Sequence, residues 1–399
     1  MKCKITGKQI NPFMSFGKMP IANGFLNKDK FDKEFFFEME VGFSDDLSLF
    51  QLNDHPKPEM MFNDNYPFFT GSSQQMKSHF KNYADWIKKY HPNKINNIIE
   101  IGSNDGTFLK NFNPKDFNVL GFEPSKNVAK KASMNGANTI NEFFNKNSTS
   151  NQKDFIKNTD LICAANVICH IPDLKDLIQS VDLMLNKNGL FVFEEPYLGS
   201  MFEKISYDQI YDEHIFIFSA TSVCKIFKLF DMELIDVLPQ TTHGGSMRYV
   251  ISRKKEHSIN KRVLDGLSRE NQNNFDNLES CLKFKKDCEN SKDKILKKLK
   301  KFKNEGKEIC GYAATSKSTT ILNYCNIDKS IINFICDTTK EKIGNFSPGT
   351  HIPIVSVSHF HENLPDIAYL FAWNHREEIF AKEKNFLKRG GKWISHVAI

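Results

Sequence analysis

The segment Glu100-Ile101-Gly102-Ser103-Asn104-Asp105-Gly106 constrains this chain more than any other. It continues the apolar run Asn97-Ile98-Ile99-Glu100-Ile101 and precedes Thr107-Phe108-Leu109, so it reads as a strand, a glycine turn and the start of a helix. Glycines let the backbone approach a ligand closely, and the free amides of a helix N-terminus favour polar or anionic atoms. The next strand-like run, Val119-Leu120-Gly121-Phe122, ends on Glu123. An acid there is placed to accept hydrogen bonds from both hydroxyls of a ribose. The glycines alone would equally serve an ordinary tight turn. Glu123, 17 residues past Gly106, turns the reading toward a nucleoside. A dinucleotide would call for Gly-x-Gly-x-x-Gly around its pyrophosphate. Here the spacing is Gly-x-x-x-Gly, and a carboxylate at Asp105 would repel phosphate. S-adenosylmethionine has no phosphate and fits better. Glu100, Gly102, Asn104, Asp105, Gly106, Glu123, Pro124 and Asn166 are the expected cofactor contacts.

The surrounding pattern predicts an α/β fold. Short apolar runs at 161–165 and 189–194 continue the series, with helical stretches between them, one of them over 172–186 and closed by Asn188-Gly189. Such alternation implies a mostly parallel sheet with helices on both faces. A helix is expected at about 74–90 from Met76, Phe80, Tyr83, Ala84 and Ile87. Residues 1–60 read as a small β-rich module. A central domain then covers 61–255 and a polar helical connector 256–304, with an apolar stripe of Leu264, Leu267, Phe275, Leu278 and Leu282. A second, smaller Rossmann-like domain covers 305–399, with strands at 308–312, 331–337 and 367–372 and a small-residue loop, Ala313 to Thr320, entering a helix.

Charge and cysteine content exclude several classes. The net charge of +6 over 399 residues is small, and many lysines sit in one stretch, roughly 283–307, whose run at 294–303 is most simply a solvated helix face. That argues against nucleic acid as a partner. No run of 18 apolar residues exists, so no membrane span is expected. The nine cysteines form no Cys-x-x-Cys pair and no apolar leader precedes them, which points to free thiols in a reducing cytoplasm.

The chemistry is expected at the carboxyl edge of the sheet. Asn166-Val167-Ile168-Cys169-His170, Glu194-Glu195-Pro196-Tyr197, Tyr211-Asp212-Glu213-His214 and Thr242-His243-Gly244-Gly245-Ser246-Met247-Arg248 all fall there. Methylating carbon needs a base for an acidic proton beside a carbonyl and a partner for the enolate; a histidine with a neighbouring carboxylate and phenol supplies both. His214, Glu213 and Tyr211 are those types. Tyr211 and His214 would equally share a helix face and simply pack, and His170 would equally be a structural histidine at a strand end.

In this order, together with Phe62-Asn63-Asp64-Asn65-Tyr66-Pro67 upstream and Leu322-Asn323-Tyr324-Cys325, Pro348 to Val355 and Ala372-Trp373-Asn374-His375 downstream, these motifs resemble the sugar C-methyltransferases that build branched deoxysugars. The resemblance covers nearly the whole chain. It implies an N-terminal zinc-binding module, a central S-adenosylmethionine-dependent methyltransferase and a C-terminal Rossmann-like domain that helps hold the substrate. It also implies a nucleoside-diphosphate 4-keto-deoxysugar methylated beside its ketone. By motif, His214 resembles the general base, and Tyr211 and Glu213 its companions. Tyr66, Ser72, Ser73, His170, Tyr197, His243, Arg248, Ser316, Lys317 and Asn374 are the implied substrate contacts; Asn166 also lines the substrate. Ser316 and Lys317 would contact a diphosphate or only cap a helix.

Three departures stand out. The family holds zinc with two Cys-x-x-Cys pairs; here Cys3 is followed by Thr6, and Ser44 and Leu47 stand at the second pair. One thiolate cannot build a structural tetrahedral site, so no zinc is expected and the module should be held by packing, with Phe35, Phe36, Phe37, Phe43 and Phe50 as candidates. Asp212 stands where the family often has another histidine, and Ala313 to Lys317 departs in the C-terminal loop. Two other readings stay open: a methyltransferase of another small acceptor, and a non-catalytic protein that keeps the fold. The sequence does not separate a monomer from a homodimer.

Overall fold

The computed structural model describes residues 1–64 and 66–399. Its largest sheet has seven strands in the order Met232–Gln240, Ser246–Arg253, Leu185–Pro196, Thr159–Ala165, Asn97–Ile101, Asn118–Phe122, Thr139–Ile140. The strands from Leu185–Pro196 to Thr139–Ile140 pair in parallel, and the other two form an antiparallel hairpin on one edge. The chain leaves Asn97–Ile101 toward one side of the sheet and returns with Thr159–Ala165 on its other side. That reversal makes a crevice at the strands' carboxyl ends, where open α/β sheets bind ligands.

A five-stranded, fully parallel sheet follows, ordered Ile354–Ser356, Ile335–Asp337, Ile309–Tyr312, Ile367–Leu370, Lys392–Ile394. It repeats the same reversal around Ile309–Tyr312. A four-stranded antiparallel sheet joins Pro12–Pro20, Phe36–Ser44 and Leu49–Leu52 to Phe216–Ile217 from the middle of the chain. One apolar core runs from Phe16 and Val41 of this sheet to Ile321 and Tyr324 beyond Ile309–Tyr312, with the Phe16 and Tyr324 rings 4.7 Å apart. Burying such rings stabilises by about 1.5–3 kcal/mol each, so the first sheet is welded to the last.

The helix Gln74–Tyr90 forms as its periodicity predicts, opened by the Ser73 hydroxyl accepting from the Met76 amide. Other expectations need correction. The helix expected over 172–186 ends at Met184, and Asn188-Gly189 lies inside the strand Leu185–Pro196. The glycine loop enters only a 3-10 turn, Leu109–Asn111, rather than a helix. The strand expected from 331 begins at Ile335. The polar connector is two helices, Lys261–Gln272 and Leu278–Asn304. The break between them shifts the register, so Leu264 and Leu282 face solvent, while Val263, Cys281, Phe284, Cys288, Ile295 and Leu299 are buried. Phe35 and Phe36 are exposed; Phe43 and Phe50 are the members of that set that are buried.

Candidate active site

Gly102 leaves its strand with φ +65°, and an added Cβ would sit 2.4 Å from Val167 across the crevice. Only glycine takes that conformation and that contact together. The Glu123 carboxylate closes the loop, accepting from the Asn104 amide at 3.0 Å and the Ser125 amide at 2.8 Å. Burial pushes its acid up, and those amides oppose the rise. Asn104 and Asp105 also make contacts within the protein. Asn104 accepts from the Thr70 amide at 2.8 Å, and Asp105 accepts from the Gly71 amide at 2.9 Å and the Thr107 hydroxyl at 2.6 Å. They grip the segment 68–71 across the crevice mouth. Gly106 clears space for Ala137, and the Pro124 carbonyl accepts from Asn141. Glu100 Oε2, Ser103 Oγ and Asn166 Oδ1 are buried without a partner among the described residues.

The segment from Tyr207 to Ile215 is the meeting place of all the sheets. The Asp208 carboxylate accepts from the Trp373 indole at 2.6 Å. Asp212 accepts from the Ala22 amide at 3.0 Å, and Glu213 from the Asn23 amide group at 2.7 Å and the Tyr66 hydroxyl at 3.3 Å. Thr319 and Thr320 donate to the carbonyls of Ala22 and Ile210. Ala22 and Asn23 were missed from sequence, because no local signal marks a loop residue whose partner lies 190 positions away. Burial pushes the Glu213 acid up to about 7, against hydrogen bonds from Asn23 and Tyr66.

His214 is the most defined group here. Its Nδ1 lies 2.7 Å from the Gln209 carbonyl, which only accepts, so Nδ1 carries the proton. Nε2 then keeps its lone pair, 2.7 Å from the Tyr211 hydroxyl, which donates. His214 is buried, whereas Tyr211 is partly exposed. Burial, then the neighbouring His170, hold the imidazole well below its ordinary range, so it rests neutral. The Tyr211–His214 pair is not a helix-face packing contact; the segment forms a 3-10 turn at Tyr207–Gln209 and then a tight turn in which the His214 amide donates to the Tyr211 carbonyl at 2.9 Å. His170 stacks on His214 with centroids 5.3 Å apart, and Phe62 lies on His170 at 5.6 Å. Burial lowers His170 to about 3.

The other expected substrate contacts divide. Lys317 is buried in the same region, its Nζ 3.3 Å from Asn374 Oδ1 and 5.1 Å from the centre of the Trp373 ring. Ser316 opens the helix Ser316–Tyr324 behind the capping residue Thr315. His243 lies beside the Gln209 side chain, which donates to its carbonyl, and its own Nε2 is buried without a partner. Arg248 is spent elsewhere: it pairs with Glu194 and stacks on the rings of Tyr83 and Trp86. Tyr197 donates to Glu270 at 2.9 Å. Ser72 donates to the Phe69 carbonyl and Ser73 caps its helix.

The second parallel sheet repeats the first cradle. Asp337, ending its second strand, accepts from the Ala314 amide at 2.7 Å, as Glu123 does from Asn104, and Ala313 has φ +72°. An acid closing a strand was the signal that would have found it.

In the N-terminal sheet the Thr6 and Ser44 hydroxyls reach the Cys3 thiol, and Cys3 and Leu47 lie in one apolar core. A thiol, two hydroxyls and a leucine do not fit a tetrahedral zinc.

Glu195 carries a prediction of its own. Burial pushes it up to about 7, opposed by the Cys169 thiol and the amides of Val167 and Ile168. Its folded proton affinity exceeds the unfolded one, so its stabilising contribution is full below the ordinary carboxylate range and is lost as pH rises through about 7. The difference is on the order of 3 kcal/mol. Denaturant unfolding at about pH 5 and about pH 8 should therefore show a loss with rising pH that Glu195→Gln reduces; equal losses in both proteins would contradict this.

Family models match three consecutive parts of the chain: a putative zinc binding domain at residues 3–62, a methyltransferase domain at 75–237 and a C-methyltransferase C-terminal domain at 241–398. The chain is 28% identical over 384 residues to C-methyltransferase NovU of Streptomyces niveus, covering 96% of this chain and 91% of that protein. Among solved structures it is similar to an S-adenosylmethionine-dependent methyltransferase from Clostridium acetobutylicum (12% identity, 45% of this chain and 92% of that one, TM-score 0.35). It is also similar to magnesium protoporphyrin IX methyltransferase from Synechocystis PCC 6803 with bound SAM (9% identity, 45% and 79%, TM-score 0.32). The chain is a methyltransferase, built from these modules in this order.

Proposed function

We propose that this chain, which carries the modules of a C-methyltransferase, uses S-adenosylmethionine to methylate a nucleoside-diphosphate 4-keto-deoxysugar at the carbon next to the ketone. The crevice fits that cofactor: glycine at 102 leaves room, Glu123 closes the loop, and the unpartnered acceptors of Glu100 and Asn166 await donors. Three acids, Glu100, Asp105 and Glu123, gather at this crevice, and burial pushes the acids of Glu100 and Glu123 up. When bound, S-adenosylmethionine supplies an electrophilic methyl group on a sulfonium sulfur.

The observation that carries the reading is the Tyr211–His214 hydrogen bond with its tautomer set by Gln209. As the substrate's ring C–H breaks, Tyr211 accepts that proton and passes its own to His214 Nε2. The electron pair left on carbon delocalises onto the ketone oxygen. Glu213, its acid raised to about 7, and Tyr66 offer protons to that oxygen. A bound cofactor would supply the methyl group to that carbon, its C–S bond breaking as the C–C bond forms. Lys317 and Asn374 beside Trp373, with the loop closed by Asp337, support a nucleotide-binding role for the second parallel sheet.

The test uses a nucleoside-diphosphate 4-keto-deoxysugar in deuterated water without cofactor. The wild type should exchange the proton beside the ketone. An enzyme that methylates this sugar yet leaves that proton unexchanged in the presence of a bound cofactor analogue would defeat the enolate reading.

A further inference from the structure

We propose that Cys169, His170 and His214 form a capture site for a soft divalent transition metal, which shuts the enzyme off by taking the His214 lone pair. The inhibitory part rests on reading His214 as the base. One sulfur and one nitrogen from each ring lie within 4.8 Å of one another. Ligands of a tetrahedral zinc sit roughly 3.5 Å apart, so the three need to close by about 1 Å. His214 is prepared as a ligand: its Nδ1–H is tied to the Gln209 carbonyl, the outer contact that orients metal-bound imidazoles. His170 Nε2 is buried with no partner. Thiolate and imidazole together select zinc or cobalt over magnesium or calcium.

On binding, the Cys169 S–H bond breaks and an S–metal bond forms. The thiol proton is released to solvent, as metal binding by a thiolate requires, with no change of oxidation state. Tyr211 gives up its bond to His214, which disconnects the pair.

Cobalt(II) added to the full-length protein tests this. The wild type should show a thiolate-to-cobalt charge-transfer band that zinc abolishes. Cys169→Ala and Cys169→Ser should lack it, and Cys3→Ser should keep it. Zinc should inhibit methyl transfer reversibly with chelator, and the Cys169 variants should need at least about 10-fold more zinc, since even outer partners of metal ligands are worth about 10- to 100-fold. A band that survives in both Cys169 variants, or that disappears in Cys3→Ser, overturns the site. A band without inhibition keeps the site and removes His214 from the role of base.

Discussion

Replacing His214 by Ala is expected to lower turnover by about 10²- to 10⁴-fold, the range that a positioned acid–base group supplies. Affinity for S-adenosylmethionine should hardly change, because among the described residues the His214 ring bonds to Tyr211 and the Gln209 carbonyl rather than to the glycine loop. Tyr211→Phe should fall in the same range, since it removes the hydroxyl through which the proton travels. Groups that act as one unit are not additive, so the double variant should be little worse than either single one. Calorimetric titration of the cofactor, alongside turnover, separates these effects. Normal turnover in His214→Ala would mean that the base lies elsewhere, with Glu213 the first alternative.

Gly102→Ala should weaken S-adenosylmethionine binding at least about 10-fold. Two costs combine. An L-residue at φ +65° pays about 1–2 kcal/mol. Its Cβ would press on Val167 at 2.4 Å, and overpacking of this kind costs about 1–3 kcal/mol. The protein relieves the clash by moving the loop or Val167, and both line the crevice. Gly136→Ala is the control: φ is +82° there, but nothing lies within 4 Å. It should lose some stability and keep its cofactor affinity. Equal affinity in the two variants would show that the loop does not cradle the ligand.

The parts of this protein that were legible in its sequence are those set by neighbours along the chain. Asn97–Ile101 and Gln74–Tyr90 came out at their expected bounds, because alternation and helical spacing are local signals. Glu123 was found because strand, glycine turn and acid recur at a fixed separation. What was not legible depended on distant partners. Asn104 and Asp105 also hold the segment 68–71, a contact that no local pattern announces. Arg248 pairs with Glu194 and lies on the rings of Tyr83 and Trp86, partners far from it along the chain. Phe216–Ile217 gave no sign that it completes the N-terminal sheet. The same non-local folding brings Ala22 and Asn23 onto Asp212 and Glu213. The Asp212 that departs from the family's histidine thus has a partner in this chain, the Ala22 amide.

The most direct measurement is the product itself. The protein is incubated with S-adenosylmethionine carrying a ¹³C-labelled methyl group and a panel of nucleoside-diphosphate 4-keto-deoxysugars, and the product is read by mass and carbon NMR. The account predicts one added methyl per sugar, its carbon bonded to the ring carbon next to the ketone. A label found on oxygen or nitrogen, or transfer only to acceptors without a ketone, would contradict it.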